Sequence, residues 1–252
     1  MEPVYTPVIW LARTLFAAQG LKFTITGAQN VPTSGGAVLV SNHLSYFDFA
    51  YAGLGAIPSR RLVRFMAKDE VFSHKISGPL MRGMGHIPVD RNAGAASFRA
   101  AVNALKAGEI VGVFPEATIS RSFELKAFKS GAIRMAQAAS VPVLPMIIWG
   151  SQRVWTKGHP KRLGRTNVPI ILSIGEPIQA GRKDDADEIN QQLRAAMNDL
   201  LKQAQESYPP VPASELKYLP ARLGGTAPTL EQATILDEQD AARRAAGRAS
   251  AG

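Results

Sequence analysis

An imidazole and a carboxylate stand five residues apart in the segment NHLSYFD (residues 42–48), directly after the apolar run AVLV. Histidine can take up and return a proton near neutral pH. An aspartate about one helical turn further on can hold one ring nitrogen and leave the other free for a substrate proton. His43 and Asp48 are spaced for that work. They are spaced equally well for a polar helix start beside a surface carboxylate, and the pair alone does not choose.

Three further stretches carry polar groups just past short apolar runs, where open α/β sheets place their sites. MAKDEVF brings Lys68 and GHIPVDR brings Arg91. VGVFPEATISRS brings Glu116, Thr118, Ser120 and Arg121. Singly, these read as a solvated turn, a helix-flanking ion pair and a helix-start charge. Their recurrence at successive strand ends favours a common site.

The elements that must position them follow from periodicity. LKFTITG alternates as a strand does, PTSGG is a turn, and AVLVSN is a short strand buried on both faces. A small apolar helix over 49–55 follows NHLSYFD. RLVRFMAKDEVF gives a strand running into a basic turn, and GHIPVDR a strand end. AASFRAAVNALKAG is an amphipathic helix with Phe98, Val102 and Leu105 on one face and Gly108 as its C-cap. EIVGVFPE, VPVLPMIIW and VPIILSIGEPI are strands, FKSGAIRMAQAAS is a helix, and Asp184–Ser207 is a long helix. Strands alternating with helices of this length predict an α/β fold with a mostly parallel central sheet flanked by helices. Residues 21–207 form its body. Residues 1–20 precede it as a short membrane-interface helix, and 208–252 follow as a Pro/Gly/Ala-rich extension, partly disordered.

Composition narrows the function. In 252 residues, 46% are apolar, enough for a sizeable core, and there is no cysteine, which excludes disulfides and thiolate chemistry. A net charge of +9 favours polyanionic partners. No run of 18 apolar residues exists to span a bilayer. The apolar start from Pro7 to Gly20, carrying Trp10, suits a helix lying in a membrane interface. It suits a helix packed on its own domain equally well. WGSQRVWTKGHPKRLGR (149–165) holds five Lys/Arg and no acid. Its Trp149, Trp155, Arg153 and Lys157, with Trp10, are the candidate contacts to an anionic membrane surface; a solvated basic loop is the plain alternative. No nucleic-acid module is recognisable, so no nucleic-acid partner is expected. The remaining histidines lack metal-ligand spacing, and no metal is expected.

Taken in order, NHLSYFD, GHIPVDR, FPEATISRS and VPVLP resemble the four blocks of the glycerolipid acyltransferase family, whose best-known members are 1-acylglycerol-3-phosphate O-acyltransferases. His43 and Asp48 match the family's H-x4-D pair, with Asn42 and Ser45 in keeping. Arg91 matches the second block, Glu116 the third, Pro142 and Pro145 the fourth, and AKDEVF the stretch between the first two. The resemblance spans about residues 21–180. The third block departs from the family's F-P-E-G-T-R-S: Ala117 stands for the glycine and Ile119 for the arginine, with Arg121 two residues on as a candidate for that charge.

The resemblance implies transfer of an acyl group from acyl-CoA or acyl carrier protein to the hydroxyl of a lysophospholipid, giving phosphatidic acid, with no cofactor beyond the thioester co-substrate. His43 would be the base and Asp48 its orienter, with no acyl-enzyme. Lys68, Arg91 and, less directly, Arg121 would meet the acceptor's phosphate, and Glu116, with Thr118, would orient its glycerol backbone or a neighbouring basic group. The protein would sit as a peripheral, monotopic enzyme on the cytoplasmic face of the cell membrane. Glycerol-3-phosphate or another lysolipid or glycolipid as acceptor, thioester hydrolysis, and a non-catalytic basic lipid-binding module stand as alternatives.

Overall fold

The computed structural model describes residues 2–90 and 94–249. In chain order the elements are α1 (Tyr5–Ala18), β1 (Lys22–Thr26), β2 (Ala37–Ser41), α2 (Asp48–Ala56), β3 (Val63–Lys68), α3 (Asp69–Ser73), α4 (Ser77–Gly83), β4 (Ile87–Val89), α5 (Gly94–Lys106) and β5 (Ile110–Val113). They continue with α6 (Gly131–Ala139), β6 (Val143–Trp149), β7 (Pro169–Ile174), α7 (Ala186–Glu206) and α8 (Leu230–Ala249), joined by short 3-10 turns.

One seven-stranded sheet runs in the order β1-β7-β6-β2-β5-β3-β4. Every pairing is parallel except β6 with β7. The expected mostly parallel sheet is therefore present. β2 lies in its middle, all five of its residues buried, which is why AVLV reads as an unbroken apolar run rather than as an alternation.

Alternate residues of the strands feed two cores. Val38 and Val40 of β2 pack with Ala101, Leu105, Ile133, Leu193 and Met197 under α5, α6 and α7. Ala37 and Leu39 face the other way, toward Phe16 of α1 and Tyr51, Ala52 and Ala56 of α2. The chain leaving β2 enters the α2 layer, and the chain leaving β5 enters the α6 layer. Neighbouring strand ends whose connections part to opposite faces leave a crevice between them. His43 stands at that crevice.

One expectation needs revising: the stretch after Lys68 is a turn of helix, α3, followed by α4, rather than a basic turn. The extension beyond residue 207 makes 3-10 turns at Ala213–Tyr218 and Ala221–Leu223 and then the twenty-residue helix α8. Its alanines and charges, poor in apolar bulk, are good helix formers, and composition alone hid that. The last three residues lie outside the described set.

Candidate active site

Asp48 opens α2 and is fully buried. Its Oδ2 accepts the backbone N–H of Leu44 at 2.5 Å and of Ser45 at 2.6 Å, and lies 3.1 Å from Nδ1 of His43. The helix N-terminus beneath it favours the negative charge. The four residues between His43 and Asp48 thus fold back on the carboxylate, and the spacing is what lets one oxygen hold the loop and the ring together. The His43 side chain is about one-fifth exposed (21%), stacked on Phe114 with 4.3 Å between ring centroids.

Three other segments clamp this loop. The Asn42 side chain donates to the Ile148 carbonyl and accepts from the Ile148 N–H. Ser45 Oγ donates to the Trp155 carbonyl at 2.8 Å, and the Tyr46 N–H donates to the same oxygen. The Ser120 N–H donates to the His43 carbonyl at 2.8 Å. With Nδ1 turned to Asp48, Nε2 of His43 is the nitrogen left to exchange a proton with a bound hydroxyl.

Glu116 sits beneath the loop, 5% exposed. Its Oε1 accepts the His43 N–H and its Oε2 the Lys126 N–H, both at 3.3 Å. Burial pushes its carboxyl up to about 8, against the pull of those two N–H groups and Lys126. A carboxyl group so enclosed ties two backbone segments together, that of His43 and that of Lys126.

The other expected residues divide. Lys68 is exposed at the end of β3, paired in register with Val89 of β4; Arg91, two residues beyond Val89, lies outside the described residues. Thr118 is half-buried, and Ile119, where the family's arginine falls, is buried. Ala117 adopts φ +59°, a left-handed conformation that explains why a glycine is usual there. Arg121 does not face an open phosphate site: its guanidinium pairs with Asp237 and with Asp240 of α8, at 3.5 and 2.6 Å.

The basic loop also needs correction. Trp149 is 1% exposed, sealed in the core beside Tyr208, because it ends β6, a strand buried along its whole length on both faces. Arg153 is buried in an ion pair with Glu215, which also holds Arg162. Lys157 reaches Asp237 and Asp240 at 2.6 and 3.0 Å. Acids of the C-terminal extension, distant in sequence, thus neutralise charges that sequence reading aimed at lipid. Trp155 is half-buried against Tyr46 and Phe47, whereas Trp10 stands 65% exposed on α1. Among the described residues no helix is long and apolar enough to cross a membrane, and no His/Asp/Glu cluster could hold a metal ion.

Sequence reading missed Phe114, Lys126, Asp237 and Asp240. Phe114 was visible as the residue before FPE's proline; the acids had no signal, since only tertiary folding brings α8 to the loop.

An α/β sheet with an imidazole–carboxylate pair at a strand-end crevice can set a base against a bound hydroxyl group. Residues 22–149 match the family model described as acyltransferase. The 1-acyl-sn-glycerol-3-phosphate acyltransferase of Bacillus subtilis is 32% identical over 179 residues, 69% of this chain and 82% of that one. A chloroplastic 1-acyl-sn-glycerol-3-phosphate acyltransferase of Arabidopsis thaliana is 32% identical over 168 residues, 65% of this chain and 45% of its own length. Among solved structures, the 1-acyl-sn-glycerophosphate acyltransferase PlsC of Thermotoga maritima superposes with a TM-score of 0.69 over 81% of each chain, at 22% identity, a likeness of fold. The chain belongs to the acyltransferase family.

Proposed function

We propose that this protein acylates the free hydroxyl of 1-acylglycerol-3-phosphate, using acyl-CoA or acyl carrier protein as donor, and supplies phosphatidic acid for phospholipid synthesis. The observation that carries the chemistry is the His43–Asp48 pair, held by three hydrogen bonds to one carboxylate oxygen. The acceptor is carried by the relatives' names, of which the Bacillus protein is covered over most of its length.

In the reaction, Nε2 of His43 removes the acceptor's hydroxyl proton as its oxygen attacks the thioester carbonyl carbon. Asp48 holds the ring's other nitrogen and stabilises the imidazolium. Collapse of the tetrahedral oxyanion breaks the carbon–sulfur bond, and the thiolate leaves with the proton from Nε2. The acceptor alcohol is itself the nucleophile, so no acyl-enzyme forms; the two nearest hydroxyls in sequence are committed elsewhere, Ser41 to the Asn42 carbonyl and Ser45 to the Trp155 carbonyl.

A lipid acceptor asks for a docking surface. Trp10, Leu11 and Leu15 stand exposed on α1, with Tyr46 and Phe49 exposed beside the His43 loop and Ile76 and Leu80 beyond β3. Phe16 of α1 packs on Phe47 and Tyr51, which places α1 next to that loop. This apolar rim lies on a membrane as a peripheral, monotopic anchor on the cytoplasmic face.

The test is thiol release from palmitoyl-CoA by purified protein in lipid micelles, with and without lysophosphatidic acid, for wild type and His43→Ala. Acceptor-dependent release, with phosphatidic acid as product and loss in the variant, is the expected result. Release that ignores the acceptor would make the enzyme a thioesterase; silence with every donor and lysolipid would leave a binding protein.

A further inference from the structure

The ring of His43 opens a stack that continues past it. Phe114 lies 4.3 Å away between centroids with the planes tilted by 23°, and Phe65 of β3 lies 6.0 Å from Phe114, within 11° of parallel. Phe65 is itself braced edge-on by Phe49 of α2 and by His86, whose Nδ1 accepts the Phe65 N–H at 3.0 Å. Burial, with Arg64 pushing the same way, lowers the His86 imidazole to about 4, so this brace is uncharged at working pH.

The stack depends on a glycine. Gly112 of β5 pairs in register with Phe65 of β3. A Cβ on Gly112 would stand 2.5 Å from Phe65 Cε1 and 2.6 Å from its Cδ1. The phenyl ring therefore lies across the bare backbone of its partner, the way a ring on one strand covers a glycine opposite it. Phe114 follows Gly112 by two residues, the period at which a strand returns to the same face. A ring laid over the glycine is thereby brought to Phe114.

An aromatic wall does two things for a base. It limits rotation of the imidazole, which keeps Nδ1 on Asp48. Its negative face also attracts the imidazolium that forms when Nε2 takes the hydroxyl proton, and attracts the neutral imidazole much less. Only such a difference between the two states lowers a barrier.

We infer that Phe114 is a positioning residue whose π face holds the imidazolium of His43, and that Phe65, laid over Gly112, keeps Phe114 against it. This rests on His43 as the base of the proposed reaction.

Titration of the His43 ring, followed by NMR in the full-length protein, tests it without catalysis. The ionisable groups facing that loop are Asp48 from α2 and Glu116 from the segment after β5, while the Trp155 segment meets it through a backbone carbonyl. All of these remain in the variants, so each is read against wild type. Phe114→Leu keeps an apolar side chain and removes the π face. His43 should then lose its proton at lower pH, by about half a unit, and Phe114→Tyr should restore the wild-type midpoint. An unmoved midpoint in Phe114→Leu, or an equal shift in Phe114→Tyr, would overturn the inference. Turnover gives a second reading. The contact strengthens only as the charge forms, so kcat should fall roughly two- to fivefold in Phe114→Leu with KM unchanged. A rise in KM alone would reduce Phe114 to a wall of the binding site.

Phe65→Leu and Gly112→Ala reach the stack from its far end and keep Phe114, so they serve even if the first variant fails to fold. Both should move the His43 midpoint the same way by a smaller amount, and no movement in either would remove Phe65 from the device. A shifted midpoint in a protein that leaves thioester and lysophosphatidic acid unconsumed would keep the stack and discard the proposed function.

Discussion

The side chain of Asn42 continues a β-ladder that its backbone has already left. Beyond the last β2–β6 pair, Ser41 with Met146, its amide exchanges two hydrogen bonds with Ile148, 2.9 Å to the carbonyl and 2.8 Å from the N–H. A buried backbone pair is satisfied while the main chain turns away toward His43. Asn42→Leu strands both Ile148 groups and is expected to cost about 2–4 kcal/mol. Urea denaturation reads that loss, and a steeper fall in turnover than in substrate binding would mark the displaced His43.

Asp48→Asn preserves shape but halves the accepting capacity of a carboxylate that serves two N–H groups and a ring. Activity is expected to fall by roughly 10²–10⁴, since an amide neither fixes the working tautomer nor offsets imidazolium charge. Retention of more than about a tenth of the wild-type kcat, in a variant folded by circular dichroism, would remove Asp48 from the mechanism.

Glu116 gives the protein a pH signature. Its folded-state pKa is raised by burial from 4.5 to about 8, so in that interval the unfolded chain gives up a proton that the folded chain keeps. The contribution to stability is complete below about 4.5 and drains away as pH rises to about 8. Glu116→Gln has no such proton. Between pH 5 and pH 8 the variant should gain on wild type by up to about 1.4 kcal/mol per pH unit, whatever its constant cost from losing one acceptor. Parallel denaturation curves at the two pH values would refute the assignment.

The strained Ala117 offers a stabilising change. An L-residue at φ +59° carries about 1–2 kcal/mol of steric cost, partly offset because glycine loosens the unfolded chain. Ala117→Gly should raise the melting temperature by about 1–3 °C, and a lowered one would mean the loop gains more from alanine than from relief.

Trp10 and Leu11 should govern attachment to lipid rather than folding. Both stand mostly exposed, at 65% and 61%, so replacing them with alanine should leave the melting temperature within about 1 °C. Their removal is expected to weaken binding to anionic vesicles at least tenfold; unchanged sedimentation with vesicles would move the membrane face elsewhere.

Much of this architecture was legible in sequence because its information is local. AVLVS reads as a buried strand, Gly108 ends α5 with φ +90°, and the five-residue step from His43 to Asp48 already contains the hydrogen-bonded loop. Glu116 was legible as a site residue, but its two backbone partners were not, because sequence says nothing of which amides will surround a carboxyl group. The basic stretch 149–165 misled for a related reason. Charge is read along the chain but balanced across space: Glu215 and Asp237 answer Arg153 and Lys157 from more than fifty residues away. Trp149 belonged to a strand buried on both faces, and its indole was counted with its neighbours on the loop.

The central position of β2 has a consequence for biosynthesis. His43 and Asp48 leave the ribosome early, yet the strands on either side of β2 are β5 and β6, and the Trp155 carbonyl that pins Ser45 follows later still. At roughly 5–20 residues per second, about ten seconds of translation separate the histidine from the last of its supports. Until then the nascent chain holds the reacting groups without the frame that aims them, so acyl transfer begins only once most of the protein has been made.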